Sequence, residues 1–350
     1  MSSIKIGNFF VGDEYSPFII AEAGINHNGE IDKALKMIEV AKFCGANAIK
    51  FQTFKAEEFI EDKSLTYTYR SQGKDITESM FEMFKRYEFL EHEWYLIKKK
   101  CDELDIMFLS TPQNISDLKL LLKIGVSALK VGSDDLTNTP LLKEYAKTNL
   151  PLILSTGMAN FAEVFNALDA IKTFDGYPTI LLVCTSQYPT ESDSVNLLRL
   201  KTLKNAFPKL ILGFSDHTQG PLASFLAVGL GARVFEKHFT LSNDLPGPDH
   251  WFSENTESLK SWIEHIHLAS KMLGSDVVRA TSSELSMKKI ARRSVTVISD
   301  VKKGEILSEE NISLRRPGLG MPADFFEKIV GKRATKNFTK NYQLTWGDFE

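Results

Sequence analysis

Two histidines set the first constraint on what this chain does. His217 ends the triplet Ser215-Asp216-His217, and His238 ends Glu236-Lys237-His238. Each follows a short apolar run, at 210–214 and 233–235, with a small-residue helical pattern between the runs. If the runs are neighbouring parallel strands, both imidazoles stand over one sheet edge. Two neutral imidazoles meeting at one point can hold a divalent ion and leave positions open for a substrate oxygen and water. A third histidine, His250, follows in GPDH. Other polar groups also fall at the ends of apolar runs: Glu22 and Lys50 with Gln52, Thr111 after Ser110, Lys130 with Ser133, Ser155, Ser186, and Ser215 with Glu236. Two ammonium groups among hydroxyls bind phosphate or carboxylate through charge-assisted hydrogen bonds. A glutamate beside them can take a proton or position water. The set predicts an anionic, phosphate-bearing substrate next to a metal-activated carbonyl.

Each residue alone has a plainer explanation. Serines and threonines after strands cap the next helix. Lys50 can run its stem along apolar surface, and Glu22 can pair with Lys50 or Lys130. What counts against these explanations is convergence: all the groups reach one rim only if the strands lie side by side. His92, His265 and His267 fall in helical patterns away from strand ends and are assigned solvated or structural places. His27, in the first loop, is either a partner behind the site or a helix-entry residue. Cys184 stands near the site without an evident base, so it is expected to be a buried, inert thiol.

The elements that must position these groups alternate. Runs at 18–21, 46–51, 106–109, 127–131, 151–154, 179–183, 210–214 and 233–235 suit strands buried on both faces. Helical periodicity fills the intervals, including a single helix over 79–100. The stretch 55–73 shows no clear period and is expected to be a long loop or lid. Eight such units predict an α/β fold, a (β/α)8 TIM barrel, with functional groups at the C-terminal strand ends. A doubly wound sheet would rarely run to eight regular units. The alternation stops near 275. The expected organisation is a barrel over 1–275, a linker at 276–290 and a small, turn-rich β domain over 291–350.

Composition narrows the classes. A net charge of −3 argues against a nucleic-acid binder. No apolar run is long enough to span a bilayer, and the first residues lack the apolar core of a secretory signal. The three cysteines form no CxxC pair, which argues against a disulfide framework or thiolate zinc and favours a reducing cytoplasm.

The motifs AEAGINHNG, KFQTFKAE, LSTP, LKVGS, LSTGMA, YPT, GFSDHT, EKHFTL, GPDH and RRPG occur in that order over nearly the whole chain. Together they resemble the sialic acid (nonulosonate) synthases, and the tail resembles the SAF domain, similar to type III antifreeze protein. The resemblance implies condensation of phosphoenolpyruvate with an N-acetylated mannosamine-type sugar, N-acetylmannosamine first, giving a nine-carbon 2-keto acid and phosphate. The same reaction on 2,4-diacetamido-2,4,6-trideoxymannose, giving legionaminic acid, is the alternative. His217 and His238 would be ligands of a divalent metal, Mn2+ by preference over Mg2+ or Co2+. Lys50, Thr111, Lys130, Ser133, Ser155, Ser186 and Ser215 would grip phosphoenolpyruvate. Gln52, Tyr188, Glu236 and Asp249 would line the sugar or metal site, and Glu22 would handle proton or water chemistry. Arg316, in RRPG, would reach the sugar's N-acetyl group in a partner subunit of a domain-swapped homodimer.

Two departures bear on the sugar. Residues 132–135 read GSDD where the family commonly has GSGE, and Glu191 follows YPT where proline is common. Three rivals are weighed. A Kdo-8-phosphate-synthase-like enzyme predicts no SAF-like tail and a second basic pocket. A non-catalytic carbohydrate-binding protein predicts gaps among Glu22, Lys50, Lys130, His217 and His238. A metal hydrolase predicts an early aspartate and histidine ligand set.

Overall fold

The structure, a computed structural model, describes residues 3–350. It divides into two compact units, Met1–Gly274 and Ser275–Glu350. In the first unit, β1 (Ser3–Ile6) and β2 (Phe9–Gly12) form an antiparallel hairpin, and the chain then enters β3 (Phe18–Gly24), α1 (Ile31–Cys44) and β4 (Ala48–Thr53). A side excursion follows: α2 (Ala56–Phe59), β5 (Thr66–Ser71), β6 (Lys74–Ser79), α3 (Met80–Tyr87) and α4 (Glu91–Glu103). Alternation resumes with β7 (Met107–Pro112), α5 (Ile115–Ile124), β8 (Leu129–Val131), α6 (Thr139–Ala146), β9 (Leu152–Ser155), α7 (Phe161–Ala170) and β10 (Thr179–Val183). It ends with α8 (Leu198–Ala206), β11 (Ile211–Asp216), α9 (Leu222–Gly229), β12 (Val234–His238) and α10 (Thr256–Leu273).

Eight of these strands make one parallel sheet in the order β7-β4-β3-β12-β11-β10-β9-β8. The end strands β7 and β8 lie beside each other, so the sheet curls into the TIM-like barrel that the alternation predicts. Period-two alternation divides every strand between two environments. Ile19 and Ala21 of β3, Ile49 and Phe51 of β4, and Phe214 and Phe235 face outward into the layer packed under the helices. Ile20, Ala48, Leu109, Ile153, Ile180, Ile211 and Val234 face inward and fill the lower barrel with Ile6 and Val11 of the first hairpin. Two residues further along β3, β4, β7, β9, β11 and β12, the inward side chain becomes Glu22, Lys50, Thr111, Ser155, Gly213 or Glu236. The barrel is therefore apolar below and polar above, with the change made within single strands.

The excursion is more ordered than a loop. Thr66–Ser71 and Lys74–Ser79 pair from Thr66↔Ser79 to Ser71↔Lys74, a six-residue antiparallel ladder. Gln72 and Gly73 turn between them with φ of 50° and 79°. A two-residue turn with both φ positive matches the twist of a hairpin, and Gly73 takes that conformation without strain. The helix expected over 79–100 is two helices, because Glu88 is extended, with ψ 142°, and Phe89 turns into the barrel's outer core. Burial of Phe89 overrides a sequence that contains no proline or glycine there.

In the second unit, β13 (Ser294–Val297) pairs antiparallel with β14 (Ile312–Arg315) around a core of Val295, Val297, Val301, Leu307 and Ile312. A short helix, α12 (Phe326–Ile329), completes the unit's regular elements after α11 (Ser282–Ala291). α11 occupies most of the stretch expected to be a linker, with Thr281 and Glu284 forming a capping box at its start.

Candidate active site

The polar ring at the C-terminal strand ends is built around two buried lysines. Lys50 Nζ lies 2.8 Å from Glu22 Oε1 and 3.8 Å from Glu236 Oε2. Lys130 Nζ lies 3.9 Å from Glu236 Oε1, and it donates to Ser155 Oγ at 2.7 Å. Lys50 also donates to Thr111 Oγ1 at 3.4 Å, and Gln52 Nε2 donates to Glu22 Oε1 at 3.4 Å. All four charged groups are almost fully buried. Burial pushes the Glu22 carboxyl up to about 7, and the neighbouring Glu236 charge adds to this against the pull of Lys50. Glu236 is also penalised by burial, but Lys130 and Lys50 outweigh it and hold its carboxyl below the usual range. Burial lowers the Lys130 ammonium, while Glu22 and Glu236 outweigh burial at Lys50 and raise it. The ring thus sets two lysines against one carboxylate held ionised and one carboxyl that protonates easily.

Next to Lys130 is a cradle of small groups. The Gly157 N–H donates to Ser133 Oγ at 3.0 Å, and Ser133 Oγ is 3.1 Å from Cys184 Sγ. A methyl group on Gly157 would collide with the Ser186 and Ser133 hydroxyls. Glycine there lets the backbone approach as closely as the hydroxyls do. Ser133 and Ser186 therefore gather at Gly157, two residues past the Ser155 that Lys130 holds, a donor set suited to a phosphate.

The histidines stand on the adjoining edge. β11 and β12 pair in parallel with Ser215↔Glu236 and Asp216↔Lys237. The His217 and His238 rings are 5.6 Å apart, centroid to centroid. His217 Nδ1 donates to the Thr185 carbonyl at 2.7 Å, which leaves Nε2 as the lone pair, 3.3 Å from Ser215 Oγ. Ser215 Oγ donates to Glu236 Oε1 at 3.0 Å. His238 Nδ1 is buried without a hydrogen-bond partner and lies 3.6 Å from Asp249 Oδ2. Burial holds His217 down to about 4; burial and the nearby positive charges hold His238 well below its ordinary value. Both rings are thus neutral at neutral pH. Two neutral imidazoles with free lone pairs, one beside a carboxyl, fit a divalent ion. Among the described residues no group of three or more His, Cys, Asp or Glu is placed to hold an ion by itself. An ion here would keep positions for oxygens that the protein does not supply.

Tyr188, 43% exposed, stacks on His217 with centroids 4.2 Å apart and precedes a cis proline. Burial and the Glu22 charge push the Asp249 carboxyl up to about 7. Of the predicted residues, those from the barrel lie around this one mouth. Arg316 lies in the second unit, exposed after β14. His250 is fully buried and exchanges hydrogen bonds with Thr240 and Asn28 at 2.7 and 3.0 Å, a fastening of the loop behind Asp249. Among the two options for His27, the helix-entry place is the one occupied: it accepts from the Gly29 N–H at 3.0 Å and stacks on Phe89.

Sequence reasoning lists Asp216 and Lys237 only as strand-end neighbours and assigns them nothing. Strand alternation turns them outward, away from the histidines. Lys237 Nζ, buried, sits 3.1 Å from Asp216 Oδ2 and 3.7 Å from Glu254 Oε1, and donates to the Thr218 carbonyl at 2.6 Å. Asp216 accepts from the Thr218 N–H and hydroxyl and from Ser224 Oγ. The Glu254 N–H donates to the His238 carbonyl. One lysine therefore ties together the segments that carry both histidines. The signal available was a lysine and an aspartate at outward positions, on the face that Phe214 and Phe235 make apolar.

A barrel with two buried lysines, a set of hydroxyls and a pair of neutral imidazoles at its C-terminal mouth has the groups that an enzyme acting on an anionic substrate needs. Residues 37–278 match the NeuB family and residues 292–350 match the SAF domain. The chain belongs to the NeuB family, the nonulosonic acid synthases. It is 42% identical to the N,N'-diacetyllegionaminic acid synthase of Campylobacter jejuni, over 92% of this chain and 97% of that one. It is 39% identical to the synthase of the same name from Legionella pneumophila, over 97% and 96%. Among solved structures, it resembles the N-acetylneuraminic acid (sialic acid) synthetase of Leptospira borgpetersenii in complex with citrate. That match has a TM-score of 0.74 and 35% identity, over 82% of this chain and 95% of that one.

Proposed function

We propose that the chain condenses phosphoenolpyruvate with the open-chain aldehyde of an N-acylated mannosamine-type sugar, giving a nine-carbon 2-keto acid and phosphate. One observation carries this reading: Lys50, Lys130 and the serine cradle share one mouth with the His217–His238 pair. A phosphate and carboxylate held by the ring would lie beside an electrophile held at the imidazoles. The sequence favours N-acetylmannosamine as acceptor; two of the relatives are named for legionaminic acid.

Lys130 with Ser133, Ser155 and Ser186 grips the phosphate, and Lys50 with Thr111 and Ser215 orients the rest of phosphoenolpyruvate. His217 and His238 would hold a divalent ion, Mn2+ by preference, which supplies Lewis-acid polarisation of the aldehyde. Carbon 3 of phosphoenolpyruvate attacks the aldehyde carbon, the C=O π pair moves to the aldehyde oxygen, which takes a proton and becomes a hydroxyl, and positive charge develops at carbon 2, where water adds. Glu22, with Oε2 buried and unpartnered, is placed to orient that water and accept its proton. The tetrahedral intermediate collapses with cleavage of the C–O bond, and phosphate leaves within the lysine and hydroxyl cradle. Tyr188, Gln52 and Asp249 border the acceptor. We further infer a homodimer in which Arg316 of the partner subunit meets the acyl group, supported by the RRPG resemblance and by the exposure of Arg316.

A cytoplasmic place agrees with three unpaired, buried cysteines; no helix among the described residues is long and apolar enough to cross a membrane.

Phosphate release measured across candidate sugars and divalent metals tests the reaction. Metal-dependent release requiring both phosphoenolpyruvate and an N-acyl sugar is expected; release without the sugar would sink it. Mixing inactive Arg316→Ala and His238→Ala proteins should partly restore activity, and no restoration would count against the shared site.

A further inference from the structure

The segment between β10 and α8 serves the mouth three times. Ser186 reaches the cradle at Gly157, the Thr185 carbonyl accepts from His217 Nδ1 at 2.7 Å, and Tyr188 stacks on His217. The segment holds one short 3-10 turn, Ser192–Ser194, and neither strand nor α-helix. Its shape therefore rests on individual hydrogen bonds.

Those bonds converge on Thr185. Its carbonyl also accepts from the Gln187 N–H at 2.9 Å and from Thr190 Oγ1 at 3.3 Å. The Thr190 N–H donates to the His217 carbonyl at 2.8 Å, so His217 meets the segment at both its ring and its backbone. The Thr185 hydroxyl donates to the Ser194 carbonyl at 3.1 Å and accepts from Arg199 Nη2 at 2.7 Å. Arg199, the second residue of α8, also donates from Nη2 to the Val195 carbonyl at 2.8 Å and from Nε to the Asn196 carbonyl at 3.2 Å. These three acceptors are all neutral. A half-buried guanidinium facing a hydroxyl and two carbonyls gives up water without gaining a counter-charge. What it gains is geometry, a rigid planar fork that fixes three points of one segment.

Glu191, one of the departures from the family pattern, shows why such a fork is needed. Its φ is −67°, the value that a proline ring imposes. The segment keeps a proline's backbone without the ring, and the Glu191 N–H makes a long bond, 3.5 Å, to Gln187 Oε1.

Resting on the reading of His217 as a metal ligand, we propose that Arg199 is a positioning residue for the site. By fixing Thr185 it holds His217 with the proton on Nδ1 and Nε2 free for the ion, and it keeps Ser186 and Tyr188 at the mouth.

Two measurements on the full chain test this. In Mn2+ titration, Arg199→Met should weaken binding about 10- to 100-fold, as when partners behind metal ligands are lost, and Arg199→Lys should restore part of it. Thr185→Val removes the hydroxyl that the fork grips and serves if Arg199→Met does not fold. The double variant should bind little worse than Arg199→Met alone, because both changes act through one contact. In metal-free protein, histidine side-chain 15N–1H spectra should show the Nδ1–H tautomer at His217, and both tautomers in Arg199→Met. Mn2+ affinity unmoved in both single variants, losses that multiply in the double variant, or a single Nδ1–H tautomer retained in Arg199→Met overturns the proposal and leaves the synthase reading standing. An unaltered chain that binds no Mn2+ overturns the proposal together with the metal assignment.

Discussion

The polar ring and the apolar roof are built by opposite means. The ring sits on barrel strands hydrogen-bonded to their neighbours everywhere but between β7 and β8, and nearly every member is charged or hydroxylic, buried and partnered. The roof, where Tyr67, Met80, Met83 and Phe84 line a cleft of about 240 Å3 beside His238, sits on an excursion between β4 and β7, has its own small clusters, and meets the site with carbon and sulfur. A buried charge must be paired to be tolerated, so the ring can change little without collapse. An apolar wall tolerates exchange of one hydrophobe for another at modest cost. On the proposed reaction the contrast is a division of labour: the strands carry the groups that would grip phosphoenolpyruvate, and the excursion borders the place where the acceptor would enter.

That division can be broken by substitution. The largest effect is expected from His238→Ala, which should abolish metal-dependent phosphate release and detectable Mn2+ binding while the circular dichroism stays native. Unchanged Mn2+ titration would remove the histidine pair from the ring's chemistry. Lys130→Met should lower kcat/KM by about 10³-fold, the scale of losing one buried electrostatic contact to the reacting group, read in steady-state phosphate release. A loss under tenfold would place the reaction elsewhere. Lys237→Met tests the support behind the ring. It leaves Asp216 and Glu254 buried without their cation, so stability should fall by about 3–5 kcal/mol in chemical denaturation. Metal affinity should weaken by about 10- to 100-fold, as when partners behind metal ligands are lost, with Lys237→Arg restoring part of both. The smallest effect belongs to the roof's clasp. Arg70→Ala removes the cation–π contact with the Trp251 ring of the loop that carries Asp249, about 0.5–1 kcal/mol, and should raise the acceptor KM a few-fold while leaving phosphoenolpyruvate KM unmoved. An equal rise in both would erase the distinction between floor and roof.

The ring was legible in the sequence because strand alternation and the barrel rule act locally. A run such as Phe18–Gly24 shows by its own pattern that Ile20 and Glu22 share a face, and eight such runs bring their ends together. Lys50, Lys130, His217 and His238 were found that way, without any pairwise distance. The roof was not found, although Thr66-Tyr67-Thr68-Tyr69 alternates and Gln72-Gly73 is a turn signal. Its strands present half-buried tyrosines to a small satellite cluster, so the contrast between faces is weak beside that of the barrel. The break at Glu88–Leu90 left no local mark, since what ends the helix is Phe89 finding the core. The role of Lys237 was also hidden. An outward lysine in an apolar strand is readable, but its partner Glu254 comes from beyond the barrel strands, and only the fold brings it within reach.

The hydrogen-bonded order of the sheet begins at β7 and ends at β8. The barrel is therefore a ring with one missing rung, although the two strands touch. Thr111 stands on one side of that gap and Lys130 on the other. A ligand gripped by both would serve as the absent rung. Its arrival should slow amide exchange along β8, the shortest strand of the eight and bonded on one side alone. Occupancy of the site would then be felt as stiffness around the whole circumference.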